Sequence, residues 1–366
     1  MSVRVPATLE ELRAASAEPN PVNIAGYGRE STHKGYLSWI LSKDKNPLAQ
    51  NLLQRLLSDS ERQFCWNTAT GIVCDFEQRI ASHKVDLQVV LSGEDSISKR
   101  HLLPIELKTD SGPSGGTQFP EMSSHLLANE CYLGGWVFCL GSSSVQDHDW
   151  GTFRAIGPEA LLERWLPVYE KAPAFLRDWL DTLAIEVGRK RLALEVHRLS
   201  KDRPEAYWEF GYRNYKHLIY YVYASFREYL RSKGDSRVWQ IYDGGYNAVM
   251  NLQAGSESWR SVPGLKDVRW FFEFNDNRFC LKLEQNAENA DGVADWAGKC
   301  VLELKDVRSE CPIRIKNRKT WKKGWPLLGD WEADFSDFRL LEAKINEIIE
   351  IYGEAGIMGK LSPRGI

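Results

Sequence analysis

The amino-acid sequence predicts an α/β domain, in which a mixed sheet is flanked by helices, followed by an α+β C-terminal domain. Apolar residues spaced three and four apart predict helices over residues 30–41 and 47–57. From about residue 70 to residue 108 the apolar period changes to two, which predicts strands. A helical segment at 118–132 and an apolar strand at 135–140 complete a compact α/β order.

The chain changes character near residue 200, and this change predicts a domain boundary. Residues 1–25 form a Pro-containing lead-in, residues 26–200 the α/β domain with trailing helices, and residues 201–366 the C-terminal α+β domain. In the last domain we expect an aromatic helix over 207–231, and a hairpin over 270–283 whose Asn-Asp-Asn turn separates two apolar strands.

Composition excludes several classes of protein. The 366 residues are 43% hydrophobic and 27% charged, which argues against disorder. No apolar run reaches the roughly 18–20 residues of a membrane span, and the polar N-terminus does not resemble a secretory signal. Because no membrane-spanning run is present, we expect no membrane partner. Seven cysteines, an odd number, predict reduced thiols in a cytoplasmic protein. The sequence contains no CxxC or HExxH spacing, so any metal would have to be held by carboxylates. It also contains no P-loop, which argues against a nucleotide site of that type.

Two predicted strands place acidic residues on one face of the sheet. Alternation assigns Val85, Leu87 and Val89 to one face, and Asp86 to the other. In the next strand Glu106 and Lys108 share the face opposite to the apolar residues, so pairing of the strands would bring the three charges together. Two adjacent carboxylates repel each other unless a cation lies between them, and Mg²⁺ prefers carboxylate oxygens while retaining several waters. The pattern therefore predicts a Mg²⁺ site, with Mn²⁺ as an alternative ion, and a water that Lys108 orients toward a phosphoryl group.

At these residues the sequence resembles the PD-(D/E)XK nuclease superfamily, whose core has a restriction-endonuclease-like fold. The resemblance rests on Asp86, the triplet Glu106-Leu107-Lys108, and Glu30 on the first helix of the α/β domain, and it covers residues 26–141. It implies that Asp86 and Glu106 ligate the metal, that Lys108 positions the attacking water, and that Glu30 supports the site. Gln118 begins a helix, as a glutamine does in several branches of the superfamily. The order of elements is most similar to a bacterial branch that includes defence-associated nucleases.

Other readings of these residues remain open. The three charged residues could form a salt-bridge cluster on a solvated edge, and Glu30 could simply favour a helix N-terminus. His33 is expected to pack rather than to act as a base. A second Glu-Leu-Lys triplet, at 303–305, follows a Gly/Ala-rich stretch without strand alternation, so we do not assign a site to it.

Basic residues concentrate late in the chain. Residues 1–150 have a net charge of −5, and residues 308–323 hold seven basic residues against one acid. Cations interleaved with an aromatic ring can track a phosphate backbone and stack on bases. We therefore expect nucleic-acid contacts from the basic segment, although a lysine-rich exposed loop or edge strand has the same composition. Its members are Arg314, Lys316, Arg318, Lys319, Trp321, Lys322 and Lys323. A second basic cluster is interpreted as a solvated helix face, and it consists of Arg189-Lys190-Arg191 with Arg198, Lys201 and Arg203.

The sequence thus predicts a Mg²⁺-dependent nuclease that hydrolyses DNA, in phage defence or restriction as the resemblance implies. RNA is not excluded as a substrate, and neither endonuclease nor exonuclease action is favoured. A homodimer or a complex with a partner protein would suit cleavage of both strands. The alternatives are an inactive nucleic-acid-binding or scaffold protein that keeps the nuclease fold and, with no supporting motif, a carbohydrate-active enzyme.

Overall fold

The fold is described from a computed structural model. The described residues are 3–58, 64, 66, 69–93, 100–113, 117–253, 262, 268–285, 293–306, 314–315 and 324–361. They divide into two units, Met1–Tyr221 and Val222–Ile366. The division lies within a helix, Tyr215–Ser232, later in the chain than the predicted boundary near residue 200.

The first unit contains a five-stranded mixed sheet. Its strands are β1 (Ala69–Phe76), β4 (Leu87–Gly93), β5 (Arg100–Lys108), β6 (Gly135–Cys139) and β7 (Phe153–Ile156), and their spatial order is the same as this chain order. The pairs β1–β4 and β4–β5 are antiparallel, whereas β5–β6 and β6–β7 are parallel. A small hairpin, β2 (Arg79–Ile80) and β3 (His83–Lys84), lies between β1 and β4 in the chain. The mixed sheet with flanking helices confirms the predicted α/β class.

Helices cover both faces of this sheet. The helices of the first unit are α1 (Leu9–Ala17), α2 (Pro21–Ala25), α3 (Glu30–Ile40), α4 (Ala49–Leu56), α5 (Gln118–Ala128), α6 (Pro158–Trp165), α7 (Ala174–Asp202), α8 (Ala206–Glu209) and α9 (Tyr215–Ser232), the last of which continues into the second unit. Apolar residues of α3, α4, α6 and α7 pack with Leu87, Val89 and Ile105 in one cluster. Apolar residues of α5 pack with Val137 in a second cluster.

The packing of Val85 corrects one prediction. Val85 belongs to the α5 cluster, whereas Leu87 and Val89 belong to the cluster on the other side. The regular strand is interrupted here: β4 begins only at Leu87, and Glu77, opposite Asp86, has a left-handed φ of 48°. The pairing itself continues in the same register, because the Val85 N–H donates to the Gln78 carbonyl oxygen just before the β2–β3 hairpin. Alternation therefore does not extend back past Asp86.

The second unit contains a six-stranded sheet in which all pairs are antiparallel. Its strands, in spatial order, are β12 (Arg314–Ile315), β13 (Leu327–Glu332), β11 (Arg278–Gln285), β10 (Val268–Asn275), β9 (Ala248–Gln253) and β8 (Val238–Asp243). Among the described residues of this unit, the helices α10 (Val293–Asp306), α11 (Phe338–Tyr352) and α12 (Ile357–Leu361) follow or interrupt the strands. The predicted hairpin is present as β10–β11, and its turn residue Asp276 has a left-handed φ of 50°. The predicted α+β composition of this part of the chain is confirmed.

Two local predictions differ from the structure. The aromatic helix expected over 207–231 is interrupted after α8, where Gly211 has a φ of 73° that a continued helix does not allow. The short strand β7 was not predicted, because four residues are too few for an alternating pattern to be distinguished from a loop. Among the helices of the described residues, none is both long enough and apolar enough to cross a membrane.

Candidate functional site

The predicted carboxylates converge where β4 begins and β5 ends. Asp86 immediately precedes β4, and its Oδ2 accepts a hydrogen bond from the backbone N–H of Leu107 at 2.9 Å. Leu87 pairs with Ile105 in the ladder, so the same register brings Asp86 beside Glu106. A backbone hydrogen bond thus ties the Asp86 side chain to the neighbouring strand.

Glu106 has one engaged and one free carboxylate oxygen. Its Oε1 accepts hydrogen bonds from Lys108 Nζ at 2.8 Å and from Gln118 Nε2 at 3.3 Å. Its Oε2 is buried and has no hydrogen-bond partner among the described residues. Since the Glu106 side chain is only 6% exposed, burial raises its pKa, against the opposing charge of Lys108. An unsatisfied carboxylate oxygen costs free energy in the protein alone, and this suits a group that receives a cation or a proton donor.

Lys108 and Gln118 fix the orientation of Glu106 from two directions. Lys108 is the last residue of β5, two positions after Glu106, so both side chains leave the same face of the strand. Burial acts to lower the pKa of Lys108, but the carboxylate of Glu106 outweighs it and raises that pKa. Gln118 is buried and begins α5. The Lys108 ammonium is therefore retained as a cation inside the site.

Glu30 reaches the same site from the N-terminus of α3. It is the first residue of that helix, and its Oε1 accepts a hydrogen bond from Ser111 Oγ at 3.4 Å. Burial raises the pKa of Glu30, the charge of Lys108 lowers it, and the charge of Asp86 raises it. Glu30 thus lies at the edge of the site, where its side-chain hydrogen bond among the described residues is to Ser111 and not to Asp86 or Lys108. The structure thus brings together the five residues predicted to form the site.

Lys34 is a site residue that sequence reasoning missed. It lies one helical turn after Glu30, and its Nζ is 2.9 Å from Asp86 Oδ1 and 3.4 Å from Glu77 Oε1. Burial acts to lower the pKa of Lys34, but the hydrogen bonds and negative charges of Asp86 and Glu77 together outweigh it, so the pKa is raised. Lys34 could have been predicted from its spacing, because residues four apart in a helix, such as Glu30 and Lys34, share a helix face.

Two carboxylates at this site could hold a cation, which is a small number of protein ligands. Asp86 and Glu106 are the candidate ligands, and the free Oε2 of Glu106 fits that role. No cluster of three or more His, Cys, Asp or Glu residues suited to a metal ion occurs within the described ranges. Mg²⁺ does not need such a cluster, because it is commonly bound through one or two carboxylates with several waters. The residues present therefore fit a hydrated Mg²⁺ ion, provided that Lys34 leaves Asp86.

His33 has a packing role, as expected. Its ring is buried, its Nε2 lies 2.6 Å from the carbonyl oxygen of Tyr27, and its Nδ1 accepts from Trp179 Nε1 at 3.2 Å. Burial lowers the pKa of His33 to about 4. A neutral ring satisfies both neighbours, which leaves no nitrogen for proton transfer.

A buried ionic network lies directly after β5. Asp110 accepts from Arg213 Nε at 2.5 Å and from Arg213 Nη2 at 2.6 Å, and the same guanidinium contacts Glu186 at 3.2 and 3.3 Å. Glu186 also contacts Arg189 at 2.8 Å, as well as His217 and Tyr221. Arg189 is therefore buried and paired, so the prediction of a solvated helix face is wrong for this residue. Lys190 and Arg191 lie at the surface and pair with Glu159.

The basic segment is described only at its start. Arg314, in β12, pairs with Asp330 of β13 at 3.0 Å, and Arg278 of β11 contacts the same carboxylate at 3.3 Å. Asp330 is fully buried, whereas the Arg314 side chain is 57% exposed. The other members, Lys316, Arg318, Lys319, Trp321, Lys322 and Lys323, lie outside the described residues.

The second Glu-Leu-Lys triplet belongs to a helix. Glu303 and Lys305 are exposed residues of α10 rather than neighbours on a strand. At helical spacing, residues two apart point in different directions, so this triplet does not reproduce the arrangement at Glu106 and Lys108. The absence of strand alternation around it was the correct signal.

Comparison with known proteins adds no family assignment. No protein-family model, curated protein or solved structure matches this chain. The interpretation of the site consequently rests on its own geometry.

Proposed function

We propose that the protein is a Mg²⁺-dependent nuclease that hydrolyses phosphodiester bonds of DNA, on a restriction-endonuclease-like core. The observation that supports the proposal most directly is the buried Oε2 of Glu106 beside Asp86, for which the described part of the chain offers no hydrogen-bond partner. A structural salt-bridge cluster would be expected to satisfy all its buried oxygens, because an unpaired buried carboxylate oxygen is costly.

The chain's own residues have distinct roles in this proposal. Asp86 and Glu106 would hold the ion, which when bound supplies Lewis-acid stabilisation of negative charge. Lys108, already paired with Glu106, orients the attacking water and neutralises charge that develops on the phosphoryl oxygens. Gln118 keeps Glu106 in one orientation through its amide. Glu30 adds negative charge at the edge of the site.

The test is cleavage of supercoiled and linear DNA with Mg²⁺ by wild type and by the E106Q and K108A variants. We expect each variant to lose at least about a hundredfold in cleavage rate, the usual order for loss of a charge-stabilising group. E303Q and K305A are matched controls, because they make the same changes in the helical triplet of the second unit. Folded E106Q and K108A proteins that cut as fast as these controls would contradict the assignment. A parallel RNA substrate decides which nucleic acid is cleaved.

A second candidate function is nucleic-acid binding or scaffolding without catalysis. One observation favours it: Lys34 already compensates Asp86, so part of the site is charge-balanced by the protein alone. This candidate predicts DNA binding that weakens with salt and no metal-dependent cleavage by wild type. The same cleavage assay therefore separates the two functions.

A further inference from the structure

Asp86 has no free oxygen in the folded chain. Its Oδ2 is bound by the backbone N–H of Leu107, and its Oδ1 is bound by Lys34 Nζ, each at 2.9 Å. The two partners differ in their freedom to leave. The Leu107 N–H belongs to the central strand β5, which is buried on both faces, whereas the Lys34 ammonium ends a flexible four-carbon chain. Oδ1 is therefore the oxygen that can be released to another cation.

Lys34 also has a second acceptor close by. Glu77 Oε1 is 3.4 Å from Lys34 Nζ, and the Glu77 carboxylate is 55% exposed. Glu77 stands in the turn between β1 and β2, outside the sheet. Lys34 Nζ is within ion-pair distance of both carboxylates, so its release from Asp86 would lose one ion pair and keep the one with Glu77. The ammonium therefore keeps one partner when it leaves Asp86.

We propose that Lys34 competes with a divalent cation for Asp86 and thereby sets the metal affinity of the site. This inference rests on the proposed function, since it requires Asp86 to be a metal ligand. An ammonium and a divalent cation repel each other at contact distance, so both cannot occupy Oδ1. Metal binding must therefore displace Lys34, and the ion pair with Asp86 opposes that displacement. Lys34 acts through Asp86 and is a positioning residue, not a catalytic one.

The test is calorimetric titration of purified full-length protein with Mn²⁺ alone, comparing wild type with K34M. Methionine keeps the apolar stem of the lysine and removes its charge. We expect K34M to bind Mn²⁺ at least threefold more tightly, which corresponds to about 0.7 kcal/mol. K84M is the matched control, because Lys84 pairs with Glu77 at 3.3 Å and has no ion pair with Asp86 among the described contacts. Its affinity for Mn²⁺ should equal that of wild type.

A further variant, D86N, locates the effect. The single variant D86N and the double variant D86N/K34M should bind Mn²⁺ with the same remaining affinity. The inference would be overturned if K34M bound Mn²⁺ no more tightly than wild type. It would also be overturned if K34M and K84M bound Mn²⁺ more tightly than wild type by the same factor.

The outcome also separates this inference from the proposed function. If K34M binds Mn²⁺ and wild type does not, the competition is supported, but the wild-type protein is not a working metal-dependent nuclease. If wild type cleaves DNA with Mg²⁺ and K34M binds Mn²⁺ no more tightly, the function is retained and the competition is wrong. If neither protein binds Mn²⁺, both proposals are wrong.

Discussion

Replacement of Arg213 by methionine should strongly destabilise the first unit. The Arg213 side chain is 18% exposed and donates to two carboxylates, Asp110 and Glu186. R213M keeps the apolar stem but leaves both carboxylates without their shared cation. Breaking a buried pair by removal of one partner costs about 3–5 kcal/mol.

The structure places the expected loss at the lower end of that range. Asp110 is 30% exposed and retains hydrogen bonds from the backbone N–H and hydroxyl of Ser142. Glu186 is fully buried but retains Arg189, His217 and Tyr221. We therefore expect R213M to lower the free energy of unfolding by about 3 kcal/mol at pH 7. The measurement is urea unfolding of the full-length protein, with hydrogen exchange in α7 to assign the transition to this unit.

The stability difference between wild type and R213M should depend on pH in a definite direction. Burial acts to raise the pKa of Asp110 and of Glu186, but Arg213 and the other partners outweigh it and hold both pKa values well below the usual range. A carboxylate with a lowered pKa stabilises the fold above its unfolded pKa, and that stability is lost as pH falls through the folded value. In R213M the buried carboxylates should take up protons more readily, so the difference from wild type should shrink below about pH 4.

A matched control distinguishes this network from an ordinary surface charge. R191M makes the same substitution at a side chain that is exposed and 3.7 Å from its partner Glu159. Exposed ion pairs contribute about 0–1 kcal/mol, so R191M should unfold almost as wild type does. Equal losses for R213M and R191M, or a difference from wild type that grows as pH falls, would refute the reasoning.

Two further predictions concern His33 and Arg314. Because the pKa of His33 is lowered to about 4 in the folded protein, the unfolded chain takes up a proton on this ring at a higher pH than the folded chain does. Wild type should therefore lose about 2 kcal/mol of unfolding free energy through His33 between pH 7 and pH 5. Urea unfolding at both pH values should show this loss in wild type but not in H33Q, and equal losses in the two proteins would contradict the prediction. If the second unit binds DNA, R314A should weaken binding and reduce the slope of log affinity against log salt by about one, because one phosphate contact is removed. Fluorescence anisotropy over a salt series measures both quantities, with R339A, at an exposed position of the same unit, as the control that should leave the slope unchanged.

The amino-acid sequence alone determined the elements whose pattern is local. The alternation around Leu87 and Ile105, the helical spacing after Glu30 and the Asn-Asp-Asn turn each gave the correct element, because period and turn chemistry are carried by neighbouring residues. The same alternation placed Glu106 and Lys108 on one face and Asp86 beside them. The convergence of the predicted site was therefore readable before the fold was known.

Only the tertiary structure decided which charges meet across the chain. Lys34 contacts Asp86 from a separate helix, and Asp110 meets Arg213 from a position 103 residues away in sequence. Val85 changes face because the regular strand is interrupted opposite Glu77, whose φ is 48°. No local sequence pattern predicts these contacts, since each depends on how complete helices and strands pack against each other. Local patterns thus determined the strands and the carboxylates, whereas packing decided which cations balance those carboxylates.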